Sequence, residues 1–161
     1  MKKGDYQKKN GFTIIEVALV LAIAGLIFLM VFVALPQLQR QQRDSRRRDD
    51  ILSFLETVKK YQTNNRGALP TDWNGEFRTK YLDDAFMDPD GANYMLQIAE
   101  CATEGSTNDC AGMPDLNAMD HKLYIFTNAA CDGAKAIQTS NPRNIAVVYR
   151  MEGSGIYCAN T

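Results

Sequence analysis

The chain has 161 residues with a formal net charge of −1, and 45% of its residues are hydrophobic. This length accommodates one modest domain and an extension. The charge is uneven: residues 1–11 carry a net charge of +3, residues 40–50 carry +2, and residues 51–161 carry −5. The mildly acidic distal part argues against broad electrostatic binding to nucleic acid, because such binding needs a basic surface.

A long apolar helix is the first predicted element. Residues 12–35 contain only two polar side chains, Thr13 and Glu16. At about 1.5 Å per residue, roughly 20 residues cross the ~30 Å hydrocarbon core of a bilayer, so this run predicts a membrane-spanning helix. The four lysines before the run favour a cytoplasmic N-terminus, although the arginines that follow Pro36 weaken this orientation signal.

Two other readings of the apolar run stay open. A cleaved secretory signal peptide needs small residues before its cleavage site, but the stretch FVALPQ places Phe32 three residues back from a cut after Ala34. A simple signal anchor is consistent with the hydropathy. Neither reading explains Glu16, because a carboxylate at the edge of a bilayer costs free energy.

An amphipathic helical segment follows the apolar run. Its apolar residues recur at three- and four-residue spacing with polar residues between them; they are Ile51, Phe54, Leu55, Val58 and Tyr61. Gly67 suits a helix C-cap and Pro70 follows shortly after, so residues 12–66 are predicted to form nearly one helix. Pro36 lacks a backbone N–H and is expected to kink or loosen this helix.

Four short strands are predicted in the distal part of the chain. They are YMLQIA (94–99), KLYIFT (122–127), NIAVVY (144–149) and GIYCA (155–159). The link MEGSG between the last two indicates a hairpin. An antiparallel sheet of three or four strands, laid on the amphipathic helix, would close a small core. The predicted fold class is therefore α+β, with a small head on a long helix.

The four cysteines all follow the apolar run, in a region that an internal N-terminus would place in an oxidising compartment. An even number of cysteines there suggests two disulfides, for which three connectivities are possible. We prefer Cys101–Cys110, which closes a short loop, and Cys131–Cys158, which ties a preceding segment of the head to the last predicted strand. A zinc site is disfavoured because no CxxC pair occurs and His121 is the only histidine.

Catalytic motifs do not stand out in the sequence. There is no GxxxxGKS or GxxxxGKT phosphate loop and no GxSxG nucleophile elbow, so the sequence predicts no enzyme and no cofactor. His121 is interpreted as a solvated turn residue rather than a general base. Four acids are interpreted as turn formers, because DPDG lacks the ligand spacing of an EF-hand loop; they are Asp83, Asp84, Asp88 and Asp90.

The run QRQQRDSRRRDD contains five arginines, at positions 40, 43, 46, 47 and 48. It is interpreted as a solvated helix surface whose charge is balanced by the nearby acids. Contact with lipid headgroups or with acidic faces of neighbouring copies is the alternative.

The stretch KKNGFTIIEVALVLAIAG resembles the N-terminus of type IV pilins and the related pseudopilins. The shared features are a basic leader, a glycine before a phenylalanine, and a glutamate as the fifth residue after the cut. They correspond to Gly11, Phe12, Thr13 and Glu16. The turn DPDGANY is also similar to the loop leading into the sheet of major pseudopilins. The resemblance implies the pilin fold, in which a long N-terminal helix forms the spine of a small antiparallel β-sheet head.

The resemblance also implies processing and partners. A prepilin peptidase would cut between Gly11 and Phe12 and methylate the new amine of Phe12, and an assembly ATPase would act with a membrane platform protein. The chain would then comprise a cleaved basic leader (1–11), a membrane and assembly helix (12–36), an amphipathic helix (37–66) and a disulfide-bonded head (67–161).

The resemblance gives Glu16 a role, because its carboxylate would pair with the Phe12 amine of an adjacent copy. Gly25 and Pro36 would let the packed helix stretch. The expected function is a structural subunit of a type IV pilus, made in the inner membrane and assembled into an extracellular filament for adhesion or twitching motility. The filament would bind a surface, a host cell or DNA. The alternatives are a pseudopilin of a type II secretion or competence DNA-uptake machine and, below that, a signal-anchored extracytoplasmic enzyme.

Overall fold

In the computed structural model the described residues are 11–82, 86–102, 109–111, 121–153 and 155–161. The leader lysines and the acids Asp83 and Asp84 lie outside these ranges. The chain divides into two compact units, of which the first ends at Leu38 and the second comprises Gln39–Thr161.

Helix α1 comprises Ile14–Asn64 and is assigned as helix without interruption through Gly25 and Pro36. It ends at the predicted stop. The N–H of Gly67 donates to the carbonyl of Gln62, and Gly67 takes a positive φ of 83°, a conformation that favours glycine.

The distal part of α1 presents the predicted apolar face to the core. Ile51, Phe54, Leu55 and Val58 are buried, and Tyr61 is half-buried. This confirms the amphipathic pattern. The Phe54 ring stacks on Trp73 and Phe86 and meets Phe77 edge to face. Burying one such ring stabilises the head by about 2 kcal/mol.

Among the described residues, the rest of the second unit contains two short helical turns, six strands and two sheets. A π-helical turn covers Trp73–Phe77, and helix α2 covers Arg78–Tyr81. The strands are β1 (Met95–Glu100), β2 (Lys122–Thr127), β3 (Ala129–Asp132), β4 (Lys135–Gln138), β5 (Ile145–Arg150) and β6 (Ile156–Asn160). The main sheet has the order β1-β2-β5-β6, and β3 pairs with β4 in a separate two-stranded sheet.

The α+β class with a helical spine is confirmed, but the main sheet is mixed rather than wholly antiparallel. Strand β1 pairs with β2 in parallel, with Met95 opposite Lys122. Parallel neighbours need a long crossover, and residues 101–121 supply one. The predicted hairpin is confirmed: β5 and β6 are antiparallel, and the N–H of Met151 donates to the carbonyl of Gly155 within the link.

The main sheet is covered on both faces. Alternate residues along β2 enter two different apolar clusters, since Leu123 and Ile125 pack with α1 whereas Phe126 packs with the β3–β4 sheet and the first disulfide. All residues of β5 from Ile145 to Tyr149 are therefore buried. The sequence analysis did not identify β3 and β4, which supply this second layer.

Both disulfides join the pairs preferred from the sequence. Cys101 is bonded to Cys110 at a sequence separation of 9, and Cys131 to Cys158 at a separation of 27. Cys101 and Cys110 are buried in the second cluster, whereas Cys131 and Cys158 join β3 of the small sheet to β6 of the main sheet. The second disulfide thus holds the two sheets together covalently.

Replacing the cysteines by alanine in pairs is expected to cost more stability at Cys131–Cys158 than at Cys101–Cys110. The loop-entropy argument gives about 3.5 kcal/mol for the longer loop and about 2.5 kcal/mol for the shorter one. Urea unfolding of the detergent-solubilised chain measures the loss, with fluorescence of the buried Trp73 as the signal. Reductant serves as the control, because it should make the wild type and both variants similar. A larger loss at the shorter loop would contradict the argument.

Candidate functional site

The residues predicted for processing lie immediately before α1. Gly11, Phe12 and Thr13 are not helical, and the helix begins at Ile14. Phe12 is 89% exposed, and among the described residues a Cβ placed on Gly11 would meet no atom within 4 Å apart from those of its chain neighbours. With respect to the described part of the chain, the Gly11–Phe12 peptide bond is therefore open to approach by another molecule.

Thr13 and Glu16 form a reciprocal cap at the start of α1. The backbone N–H of Thr13 donates to Glu16 Oε2 at 2.9 Å, and the Thr13 hydroxyl donates to the same oxygen at 2.8 Å. The Glu16 N–H in turn lies 3.4 Å from Thr13 Oγ1. This is a capping box, in which a threonine at the cap and a glutamate three residues later satisfy each other's backbone N–H groups. The sequence TIIE carries this signal, but the sequence analysis did not use it.

The cap leaves half of the Glu16 carboxylate available. Both bonds from Thr13 end on Oε2, and Oε1 accepts no hydrogen bond from any residue in the described ranges. An ionised carboxylate offers about four acceptor positions on its two oxygens. Glu16 can therefore cap its own helix and accept a donor from a second molecule at the same time.

The apolar part of α1 is exposed along its length. Large side chains from Phe12 to Leu35 are mostly half or more exposed. Within the described residues, α1 contains the one segment that is long and apolar enough to cross a bilayer, judged by length and composition. Exposed apolar surface of this extent marks a site of contact with lipid or protein. A Cβ on Gly25 would meet no atom within 4 Å outside the helix's own backbone, so this position adds to the open surface.

A buried ion cluster lies in the head, in a part of α1 that was predicted to be solvated. The Arg47 side chain is 1% exposed, so the interpretation of the arginine run as a solvated surface is wrong at this position. Arg47 donates through Nε and Nη2 to the two oxygens of Asp88, both at 2.8 Å. Tyr149 of β5 donates its hydroxyl to Asp88 at 2.6 Å. The Asp88 side chain is fully buried, so this turn acid is also a core residue.

Other contacts extend the cluster to the hairpin between β5 and β6. Asp44 accepts from Arg47 at 3.0 Å and from the backbone N–H groups of Glu152 and Gly153 at 2.9 and 2.8 Å. Arg43 makes a bidentate pair with Glu152, and Arg40 lies 3.5 Å from the same carboxylate. Three arginines one helical turn apart therefore converge on one hairpin.

Burial and pairing act in opposite directions on these groups. Burial alone would raise the pKa of Asp88, but the hydrogen bonds from Arg47 and Tyr149 outweigh it and lower that pKa from 3.8 to about 2. Burial opposes the charged form of Arg47, yet the bonds to Asp88 and Asp44 hold its pKa above the ordinary value. Burial, followed by the bond to Asp88, raises the pKa of Tyr149. Arg47 and Asp88 are thus a charged pair at neutral pH.

His121 is half-buried rather than solvated, and it lies between two turn acids. Its Nε2 is 3.5 Å from Asp90 Oδ2, and its Nδ1 is 3.9 Å from Asp88 Oδ2. Ligand atoms of Asp88, Asp90 and His121 lie within 4.8 Å of one another, a spacing that could hold a cation. Both Asp88 oxygens, however, already face the Arg47 guanidinium. The Asp88 carboxylate is therefore used in an internal ion pair with Arg47 rather than as a cation ligand.

Comparison with known families identifies the N-terminal segment. Residues 6–32 match the family described as the prokaryotic N-terminal methylation motif. No curated protein and no solved structure matches the chain. The chain thus carries the class III signal of a type IV pilin-like prepilin, and this signal implies prepilin peptidase processing and self-assembly in general. Together with the apolar helix, it is consistent with anchoring in a membrane before assembly.

Replacing Asp88 by asparagine is expected to destabilise the head by about 3 kcal/mol, because it leaves the buried Arg47 charge without its main partner. Asp49→Asn is the matched control. Asp49 is exposed on α1, the helix that carries Arg47, and its replacement should change the free energy of unfolding by less than about 0.5 kcal/mol. Denaturant unfolding at neutral pH measures both variants. Equal stability of the two would contradict the role of the pair.

The same variant should also change the acid response. The folded-state pKa of Asp88 is lowered from 3.8 to about 2, so its contribution is present above about pH 4 and is lost as the pH falls towards 2. The wild type should lose roughly 2 kcal/mol from this group across that window, and Asp88→Asn should lack this part of the loss. Identical acid unfolding profiles would show that Asp88 does not titrate as the geometry requires.

Proposed function

We propose that this type IV pilin-like precursor is a structural subunit that polymerises through its N-terminal helix into a type IV pilus. The observation that supports this most is the start of α1: a methylation motif at residues 6–32 surrounds Glu16, whose Oε1 is left available at the edge of a long exposed apolar helix. The filament would serve adhesion or twitching motility.

Processing would occur at the exposed bond before the cap. In the proposed hydrolysis, the oxygen of a water molecule bonds to the Gly11 carbonyl carbon, the bond to the Phe12 nitrogen breaks, and a proton passes to that nitrogen. The products are the leader carboxylate and a free Phe12 amine. The amine nitrogen would then bond to the methyl carbon of a sulfonium donor, the carbon–sulfur bond would break to release a neutral thioether, and the nitrogen would lose a proton. The peptidase of the membrane supplies both reactions.

Glu16 would then recruit the next subunit. A carboxylate placed in a membrane costs about 2.5–3.5 kcal/mol on insertion scales, so such groups tend to be paired. The Phe12 amine of an adjacent copy is a suitable cation, and Oε1 is the oxygen that the cap leaves for it. The position near the helix N-terminus further favours the negative charge.

The apolar surface of α1 would provide most of the assembly energy. Its exposed side chains would pack helix against helix, and each buried Å² contributes roughly 25 cal/mol over many identical copies. Gly25 and Pro36 would allow the helix to stretch during packing, because glycine is permissive and proline lacks an N–H donor. The subunit would lie in the inner membrane with its N-terminus in the cytoplasm before a platform protein and an assembly ATPase move it into the filament.

A pseudopilin of a secretion or DNA-uptake machine is the second candidate. The observation that favours it is the turn DPDGANY, which leads directly into β1 and is closed by bonds from the N–H groups of Asp88 and Gly91 to the carbonyls of Ala92 and Asp88. This turn is similar to the loop that leads into the sheet of major pseudopilins.

The mature protein is expected to begin at methylated Phe12 when it is isolated from cells that contain the peptidase. Intact-mass measurement tests this directly, since the leader would be missing and one methyl group would be added. Gly11→Leu is the matched variant, because a bulky side chain at the cut should block processing. A wild-type chain that starts at Met1 in such cells would contradict the proposal.

Glu16→Ala should leave the protein in the membrane but abolish filaments, since the anion that recruits the next amine is lost. Electron microscopy of sheared surface appendages and membrane fractionation measure the two properties. Glu56→Ala is the control, because Glu56 is exposed on the same helix far from the cap. Normal filaments from the Glu16 variant would contradict the role of the carboxylate, and wild-type cells that form short membrane-bound assemblies instead of pili would favour the pseudopilin.

A further inference from the structure

The start of α1 decides which peptide bonds are helical. The first hydrogen bond along α1 runs from the Val17 N–H to the Thr13 carbonyl, at 3.4 Å. If the helix began two residues earlier, the Gly11 carbonyl would accept the N–H of Ile15, four residues on. That carbonyl would then be occupied by a hydrogen bond and partly shielded from an attacking water molecule.

The capping box sets this start chemically. The first N–H groups of a helix have no partner inside the helix, and in an apolar environment they must find one within the protein. Thr13 supplies an acceptor through its hydroxyl, and Glu16 supplies one through Oε2. Extending the helix towards Phe12 would break these two cap bonds, so the capping box opposes the extension. The Gly11–Phe12 bond therefore stays in non-helical, exposed chain.

We propose that Thr13 is a positioning residue for processing. Through the capping box with Glu16, it fixes the beginning of α1 and holds the Gly11–Phe12 bond outside the helix, at a constant distance from the apolar segment. The inference rests on the proposed function, because it takes this bond as the one that the peptidase cuts. Thr13 does not touch the reacting atoms; it acts through the backbone that it caps.

Loss of the cap would lower the fraction of precursor in the cleavable conformation. Without the Thr13 hydroxyl, the first turn would either fray or begin at another residue, and both changes add backbone conformations that the peptidase must exclude when it binds. An enzyme that selects one conformer from several shows a weaker apparent affinity by that fraction. The effect should therefore appear mainly in KM, with kcat little changed.

The test compares Thr13→Val with Thr13→Ser in the full-length precursor, reconstituted in phospholipid vesicles with prepilin peptidase. Valine has nearly the shape of threonine but no hydroxyl, whereas serine keeps the capping oxygen. We expect Thr13→Val to lower kcat/KM about fivefold, which corresponds to the loss of a typical cap. Thr13→Ser should remain within about twofold of the wild type, since serine caps at least as well. Intact mass measures cleavage over time.

Thr63→Val is the matched control, because it removes an exposed hydroxyl from the same helix, one that bonds back to the Lys59 carbonyl at 2.9 Å. It should be processed like the wild type. Wild-type rates for Thr13→Val would overturn the inference, and so would equal losses for the serine and valine variants, since the peptidase would then be reading the side chain itself. A wild-type precursor that is not cut after Gly11 would instead refute the proposed function.

Discussion

An apolar helix surface that no part of its own unit covers is the constraint from which the other features follow. The large apolar side chains from Phe12 through the first part of α1 to Leu35 are mostly half or more exposed, and such a surface is unstable in water because apolar area favours burial. Burial of this surface in lipid or against other helices would therefore be favourable. Any polar group at the start of this segment must be satisfied locally or by a partner, and this requirement gives the cap and the free oxygen of Glu16 their importance.

Two carboxylates illustrate different solutions to this problem. Asp88 is fully buried, and four donors from its own chain reach its oxygens: two from Arg47, one from Tyr149 and the backbone N–H of Asp90. Its pairing is complete, so its effect is confined to the stability of the head. Glu16 is held by one oxygen only. A half-satisfied anion in an apolar setting lowers its free energy by acquiring another donor, and the proposed pairing of Glu16 with a neighbouring copy would supply that donor.

Patterns of spacing made much of the fold predictable. The helix, its end near Gly67, four strands and the β5–β6 hairpin follow from periodicity and turn residues. Strands β3 and β4 were missed because AACD and KAIQ are short and contain few residues that favour strands. Nothing in the sequence predicts that β1 pairs with β2 in parallel. The pairing of two strands that are far apart in the chain depends on how the folded head packs. Arg47 could have been placed in the core, since it lies four residues before Ile51 on the same helix face.

The site was predicted unevenly, for a related reason. The resemblance rests on Gly11, Phe12, Thr13 and Glu16 as separate positions, whereas the structure joins Glu16 to Thr13 through a local bond pattern that the spacing TIIE already contains. The long arginine run was treated as one surface, but its members divide between solvent and core. Charge counts cannot make this division, because burial of an arginine depends on acids that lie 41 and 105 residues away in sequence.

The role of Asp88 also bears on the choice between the two candidate assemblies. The turn DPDGANY is the feature that most resembles pseudopilins, yet its first acid is used to pair Arg47 and Tyr149 inside the core. Asp88 in this turn is needed for the stability of the head, whichever assembly the subunit belongs to. Its resemblance therefore carries information about the fold rather than about the activity, since one fold supports different functions. On the proposed function, a pilus and a pseudopilus would differ in the packing between copies, for which the exposed face of α1 offers the apolar surface.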